Sequence, residues 1–528
     1  MVKRFFSNIV QSPGPSPLII AACAAIPAVY IPLPAVRFCL LVLSGLFIIT
    51  AFVWLAADVL KKRIKYLSSL NPMCIRICFA AALGLIIGFV CAARMEPCAP
   101  GLPMESISSV KGKLLNDPRS FAQRTLSSQH TLNLEEERGM AVMEFTETGN
   151  LAGRVRSSAR GRVQVFFPAG TMPRLREFGR GAEVFVEGSF LPSDTARETG
   201  GTVLTAVAAP RFRAASVHII KQALPLERMR TAVRSAVFVQ LKPKAWGGLA
   251  AALLLGTREN LEGTLADSFR NAGLSHILAL SGMHLAFISA MLAFVLKKPL
   301  GKKGSIIVGF AFIVCYVFLV GPEPSLVRAV IMYGLGSFLI LTGTARQTLA
   351  LLSAAFLIQI LWNPASAYSI SFMLSYLALA GILILSGSAL VLLRGRLPSS
   401  LAVGISASTG AFLVTSPVVS AFFGILRPVG LIAGLIAAPL SGLFMALSFL
   451  WLLLSKLPFI GLFAGMILDK LLTAVFFIMQ RSISLFARFP GLLIPFPAVC
   501  TVMPLLIVCL LLFADREARR RNELVRFA

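Results

Sequence analysis

The feature that most constrains this chain is a recurrence of apolar runs about 20 residues long, joined by loops in which Lys and Arg outnumber acids. An α-helix rises about 1.5 Å per residue, so roughly 20 residues cross the ~30 Å hydrocarbon core of a bilayer. Three runs come early, at about 17–33, 36–57 and 73–93. Nine follow, at about 275–296, 304–320, 325–342, 347–362, 367–392, 402–423, 428–455, 459–480 and 494–513. Several are short or interrupted by Gly and Pro, which predicts broken or re-entrant helices. The first run follows a Pro/Ser-rich lead without a clear cleavage site and reads as an anchor, not a signal peptide. With 57% apolar and 14% charged residues, a soluble cytosolic enzyme and a disordered chain are both excluded. The expected fold class is a polytopic α-helical membrane protein of about 12 apolar helices.

Charge refines this reading. The 50 Lys and Arg against 23 Asp and Glu give +27, which points either to nucleic acid or to cytoplasmic loops placed by the positive-inside rule. Residues 103–230 hold 18 basic and 13 acidic residues, an ordinary balance. From Ser268 to Ala514 there are 14 basic residues and two acids, Glu323 and Asp469. Loop bias accounts for the positive excess better than for the missing acids. Lys61, Lys62, Arg63 and Lys65 predict a cytoplasmic loop, which puts the chain after Arg94 outside. Nine later crossings then place Lys297, Lys298, Lys302, Lys303, Arg346, Arg394, Arg396, Lys456 and the Arg-rich tail in the cytoplasm, while Arg427, Arg481 and Arg488 fall on the opposite side. The expected location is the cell (cytoplasmic) membrane, multi-pass, with the C-terminus inside.

Residues 1–99 thus read as anchor helices and 100–215 as something different. There the runs shorten and alternate at Ala141–Thr146, Arg162–Phe167, Ala182–Phe190 and Gly201–Val207, the pattern of half-buried strands. A small all-β domain outside the cytoplasm is expected, and a five-stranded OB-like barrel is one economical arrangement. Arg154, Arg156, Arg160 and Arg162 form a basic run that reads either as a solvated face or as the lining of a polyanion groove. Residues 216–250 form an amphipathic connector with Glu227, Arg228, Arg230 and Arg234, expected as a brace. The bundle occupies 251–514 and a basic tail 515–528.

Polar groups inside the apolar bundle mark candidate sites, because buried polar side chains in a membrane need partners or a wet cavity. Ser275, His276, Ser281 and His284 cluster in the run 275–296. On one continuous helix the two histidines would stand eight residues and about 80° apart and share a broad face. Close helix packing through Ser and Gly, with each His donating to a carbonyl, is the competing structural reading. Arg328 opens a helix after Gly321-Pro322-Glu323-Pro324, and Asp469-Lys470 interrupts another, each of that pair expected to find a partner elsewhere. Only four histidines occur, with no HExxH or HxHxDH pattern, and the nine cysteines form no CxxC pair. No cofactor or metal site is therefore expected. Cys91 and Cys98 flank the end of a run and are a candidate disulfide.

The stretch Ala252–Phe287, ALLLGTRENLEGTLADSFRNAGLSHILALSGMHLAF, closely resembles the ComEC family of competence membrane proteins, whose channel domain carries LLLGxR…DxFRxxGxSHxLAxSGxH. The likeness continues through Ser325 and Arg328-Ala329, Asn363-Pro364, Ser371-Phe372, Leu374-Ser375, Thr415, Pro417, Phe422 and Ala438-Pro439-Leu440, and Asp117-Pro118-Arg119 fits the family's N-terminal half. It covers most of residues 70–455. Thr257 stands where members often have Asp, and Gly434 where they have Asn, so roles of those side chains do not transfer. Many members also carry a C-terminal metallo-β-lactamase-like domain, and no His-rich cluster of that kind is present here, so this polypeptide is expected to lack nuclease activity.

The resemblance implies a channel component passing single-stranded DNA across the cytoplasmic membrane during natural transformation. Its implied partners are single-stranded DNA, membrane lipid, a separate nuclease, a DNA receptor, a cytoplasmic DNA-translocating ATPase and a second copy of the chain as homodimer. Pathway candidates are Arg258, Arg270, Ser275, His276, Ser281, Gly282, His284, Arg328 and Asn363, with Arg154, Arg156, Arg160 and Arg162 as strand guides. Two alternatives stand beside it. One is a membrane-embedded hydrolase using Ser281 with His284 or His276, which needs an orienting acid such as Asp267. The other is a small-solute transporter or degenerate scaffold.

Overall fold

The computed structural model describes residues 17–30, 72–93, most of 103–121, 138–150 and 156–168, parts of 171–191, and 210–493 apart from 259, 344–346, 394 and 456–459. The runs expected at 36–57 and 494–513, the strand expected at 201–207 and the basic tail lie outside these residues.

Helices α1 (Pro17–Tyr30) and α2 (Pro72–Ala93) come first. A Cβ on Gly84 would lie 2.0 Å from the Ala21 carbonyl oxygen, so glycine is what lets the two backbones touch. The Cys91 thiol donates to the Ile360 carbonyl at 3.3 Å, and the Tyr368 hydroxyl donates to that of Val29. Cys98 lies outside the described residues.

Seven strands follow: β1 (Ile107–Leu114), β2 (Arg119–Phe121), β3 (Arg138–Asn150), β4 (Arg156–Ser158), β5 (Arg162–Phe167), β6 (Glu183–Phe190) and β7 (Arg211–Lys221). The pairing β1-β6-β7-β5-β3 returns from β3 to β1, so five strands close into a barrel, with β2 and β4 attached to β3. Closure leaves none of these five as a free edge. The β5–β7 pair is parallel and the other barrel pairs are antiparallel. Alternate residues fill the interior, among them Val110, Met143, Phe145, Val163, Val165, Val184, Val186 and Phe212. At Gly112 the barrel turns so sharply that a Cβ would meet the Glu144 carbonyl oxygen at 2.2 Å. Strand β7 runs to Lys221, past the boundary drawn at 215, because β6 pairs with it as far as Glu183↔Lys221.

The rest is helical: α3 (Pro225–Leu241), α4 (Gly247–Leu255), α5 (Gly263–Asn271), α6 (Ser275–Leu278), α7 (Gly282–Val320), α8 (Pro324–Leu341), α9 (Thr348–Trp362), a 3₁₀ turn (Pro364–Tyr368), α10 (Ile370–Leu393), α11 (Ser399–Phe423), α12 (Gly430–Leu454) and α13 (Ile460–Phe486). A short ribbon pairs β8 (Ile425–Leu426) with β9 (Leu492–Leu493). Among the described residues six helices, α7, α8 and α10–α13, are long and apolar enough to cross a membrane. Helix α9, with 15 residues, rises only about 22 Å and falls short. Helix α4 is buried on all sides, which explains the unbroken apolar Ala250–Leu255.

The 39 residues of α7 would span about 58 Å if straight. They cannot be straight. The Ser325 hydroxyl, five residues beyond Val320, donates to the Leu280 carbonyl at 2.7 Å, and the Tyr316 hydroxyl donates to that of Leu254 at 2.8 Å. The two ends of α7 therefore meet, and the fold-back occurs at Gly301, φ 65°, just after Pro299. Each arm rises about 28 Å, as expected for the separate runs 275–296 and 304–320. Lys297, Lys298, Lys302 and Lys303, all exposed, cluster at this bend.

Candidate functional site

At the end of the bundle where the α7 ends meet, Arg328 is 8% exposed. Its Nε donates to Ser375 Oγ at 2.9 Å, its Nη1 lies 3.9 Å from Met332 Sδ, and its guanidinium sits 5.8 Å from the Tyr376 ring centroid. The Tyr376 hydroxyl donates to Gln359 Oε1 at 2.9 Å, and the Gln359 amide donates to the Pro324 carbonyl at 3.0 Å, so α8, α9 and α10 are knitted around the cation. A Cβ on Gly282 would lie 3.0 Å from Arg328 Nη2, so the glycine makes room for the guanidinium. Among the described residues no carboxylate pairs with Arg328.

His284 is fully buried. Its Nδ1 accepts from the Ser281 backbone N–H at 3.1 Å, which assigns the ring proton to Nε2 when the ring is neutral. Nε2 is buried and has no hydrogen-bond partner among the described residues. The expectation of one helix carrying all four polar residues is corrected here. Ala279 and Ser281 are extended, with ψ 136° and 165°, and Ser281 caps α7, so Ser275 and His276 belong to the separate turn α6. Both are exposed although Leu274, Ile277 and Leu278 beside them are buried.

The remaining candidates are dispersed. Arg270 pairs with Asp267 at 3.4 Å on the exposed side of α5, which also engages the acid a Ser/His hydrolase would need. Arg258 is exposed beyond the α4 cap at Gly256, and Thr257 returns its hydroxyl to the Ala251 carbonyl at 3.4 Å. Asn363 lies at the end of α9, where its Oδ1 accepts from Arg162 Nη2 at 3.4 Å, joining a barrel candidate to a bundle candidate. Arg156 pairs through its backbone with Gly149, while Arg154 and Arg160 lie outside the described residues. Asp469 receives Trp246 Nε1 at 2.9 Å and Lys244 Nζ at 3.2 Å, so its partners come from the connector.

One polar cluster was not foreseen as a unit. Arg230, 2% exposed, grips Asp117 with Nη2 at 2.6 Å and Nη1 at 3.0 Å, and its Nε donates to the carbonyls of Phe318 at 2.7 Å and Leu319 at 3.1 Å. Arg234 adds a bond to the Val320 carbonyl, and Arg180 binds Glu227 and donates its N–H to Asp117 at 3.1 Å. Arg230 and Arg234 satisfy terminal carbonyls of α7 that have no helical partner, and they suit the negative end of its dipole. Burial raises the Asp117 pKa, but the Arg230 hydrogen bonds and the charges of Arg234 and Arg230 outweigh it and hold the carboxyl below its ordinary value. The signal was Asp117-Pro118-Arg119 and the arginine spacing on α3; what was missing was that α3 turns its charged stripe inward.

The arrangement offers a buried cation with no carboxylate partner among the described residues, a buried imidazole nitrogen with no hydrogen-bond partner among them and, between barrel and bundle, a set of arginines. Among the described residues no cluster of three or more His, Cys, Asp or Glu is placed to hold a metal. A family model described as "Competence protein" matches residues 253–519, which include the whole Arg328 and His284 region. ComE operon protein 3 of Bacillus subtilis (strain 168) is 29% identical over 174 residues, 32% of this chain and 22% of that protein. An uncharacterized protein of Aquifex aeolicus (strain VF5) is 26% identical over 253 residues, 46% of this chain and 57% of that one. The chain thus spans about a fifth and somewhat over half of the lengths of these relatives. No solved structure matches it significantly. Because the family model covers just over half of the 528 residues and contains the buried arginine and its surroundings, the chain belongs to the Competence protein family.

Proposed function

We propose that this protein takes part in DNA uptake and forms a passage for single-stranded DNA through the cytoplasmic membrane, with the barrel outside and the C-terminus in the cytoplasm. The observation that carries the reading is Arg328, a guanidinium buried among apolar helices with no carboxylate partner among the described residues. A charge in such a place is normally paired or functional. The phosphates of a passing strand supply the missing counter-charge, one after another, without regard to base sequence.

Two further features support it. Only two acids occur between Ser268 and Ala514, and one of them, Asp469, is engaged by Lys244 and Trp246, so little negative charge is left to repel a polyanion. The lysine-rich bend at Gly301 is the turn of the α7 hairpin, away from the end at Phe318–Val320 where Arg230 of α3 also holds Asp117 of the barrel, which suits a barrel outside and lysines inside. In this reading the barrel is an OB-type strand guide, the chain is not itself the nuclease, and strand degradation, capture and the driving force come from a separate nuclease, a receptor and a translocating ATPase.

The test is complementation of a deletion strain with Arg328→Gln and His284→Leu, with membrane levels measured alongside. Transformation is expected to fall at least about tenfold for Arg328→Gln at unchanged insertion, the scale of losing one buried charge contact of about 1.4 kcal/mol or more. Undiminished transformation by both inserted variants overturns the proposal.

A further inference from the structure

We infer that the bend of the α7 hairpin binds the headgroups of anionic phospholipid through Lys297, Lys298, Lys302 and Lys303, a property independent of what passes through the bundle. All four lysines are exposed on one short stretch, and a Cβ added to Gly301 between them would meet nothing within 4 Å. The bend is therefore open. From Gly282 to Val320 the hairpin contains no Asp or Glu, and α8 beside it brings only Glu323, at the opposite end. Among the described residues none of the four lysines makes an ion pair, whereas Lys111 and Lys244 are each held by a carboxylate at 3.2 Å. Four like charges this close call for an anionic partner from outside the chain.

Depth and apolar surroundings identify that partner. A Cβ on Gly309 would meet the Tyr333 hydroxyl of α8 at 3.0 Å, so these two residues stand level. Eight residues lead α7 from Gly309 back to Gly301, and eight lead α8 from Tyr333 on to Leu341, about 12 Å in each case. The bend is thus level with the end of α8, and an arm of about 28 Å brings it to the boundary of a ~30 Å hydrocarbon layer. Apolar side chains flank the lysines on both arms: Phe294 is 85% exposed, Val295 61%, Leu300 45% and Ile307 58%. Acyl chains cover such a surface, whereas a nucleic-acid strand would leave it in water. Lysine stems lie along apolar surface and carry their ammonium groups out to the headgroup phosphates.

The test is native mass spectrometry of the full chain in neutral detergent, titrated with dioleoylphosphatidylglycerol and, separately, with dioleoylphosphatidylcholine. Wild type is expected to prefer phosphatidylglycerol. Lys302→Gln/Lys303→Gln, which leaves Lys297 and Lys298 to hold the membrane orientation, is expected to bind phosphatidylglycerol about 30-fold more weakly, at roughly fivefold per lysine. Lys302→Arg/Lys303→Arg keeps both charges and is expected to match wild type, as is Arg396→Gln, which removes an exposed cation between α10 and α11. Equal affinity of wild type for the two lipids, or a Gln double variant that binds like wild type, overturns the inference while the passage reading stands. Displacement of phosphatidylglycerol by glycerol 3-phosphate makes the bend a site for soluble phosphate and also overturns it. A Gln double variant that keeps phosphatidylglycerol but loses a 20-mer of thymidylate assigns the lysines to the passing strand and overturns the lipid site.

Discussion

Arg230 and Asp117 form a bidentate pair, 2.6 and 3.0 Å, between residues 113 positions apart, and the same guanidinium caps the end of α7 through the Phe318 carbonyl at 2.7 Å. One side chain thus fastens the barrel, the connector and the bundle. Arg230→Ala leaves a partly buried carboxylate and the α7 carbonyls without partners, and is expected to cost about 3–5 kcal/mol of stability. Arg230→Lys keeps the charge but cannot form the fork, and should fall between the two. Thermal unfolding of the detergent-solubilised protein measures both.

The same pair sets an acid limit. The Asp117 carboxyl titrates below its ordinary 3.8 in the folded protein, so its contribution is complete above about pH 4 and is lost as pH falls through the lower folded value. Asp117→Asn removes the charge at every pH. The melting temperatures of wild type and Asp117→Asn are therefore expected to differ most at pH 5–7 and to converge as pH drops below about 3.8. A gap that stays constant down to strong acid would mean that Asp117 does not carry this dependence.

Gly282 provides a test of how tightly the buried cation is seated. An added Cβ would stand 3.0 Å from Arg328 Nη2, so the arginine must give way slightly for alanine and substantially for valine. Gly282→Ala is expected to lower transformation mildly and Gly282→Val severely, with stability reduced by about 1–3 kcal/mol at most. Equal transformation by both variants would show that the position of Arg328 does not matter to passage.

Much of the membrane architecture was legible because apolar length is a local property. The run expected at 325–342 became α8 (Pro324–Leu341) and that at 347–362 became α9 (Thr348–Trp362). Breaks inside a run were harder. Leu278, Leu280 and Leu285 are equally apolar on both sides of the cap, and only the extended backbone at Ala279 and Ser281 parts His276 from His284. Which face of the connector is buried was not legible, for a different reason. A helix that buries Arg230 and leaves Leu226, Met229 and Val239 exposed reverses the usual rule, and its cause lies in Asp117 and the α7 carbonyls, which the local pattern does not contain. Strand β7 (Arg211–Lys221) did leave a trace, exposed Arg211 and Arg213 alternating with buried Phe212 and Ala214, but the strand straddles the boundary at 215 where the barrel was expected to end.

His284 separates a structural from a functional use of one ring. Its Nδ1 accepts from the Ser281 N–H at 3.1 Å and so helps start α7, while buried Nε2 has no partner among the described residues. The first bond needs only a short-range acceptor. Asn can supply one from the same position, whereas Leu cannot and leaves a backbone N–H unsatisfied at the helix start. His284→Leu is therefore expected to lose about 1–3 kcal/mol of stability and His284→Asn to recover most of that. If Nε2 serves only packing, transformation recovers together with stability in His284→Asn. If Nε2–H meets the passing strand, His284→Asn regains its melting temperature but stays deficient in transformation, because the amide is too short to reach where the imidazole nitrogen reached. Measuring both quantities on the two variants decides whether the buried Nε2 of His284 belongs to the passage or only to the start of α7.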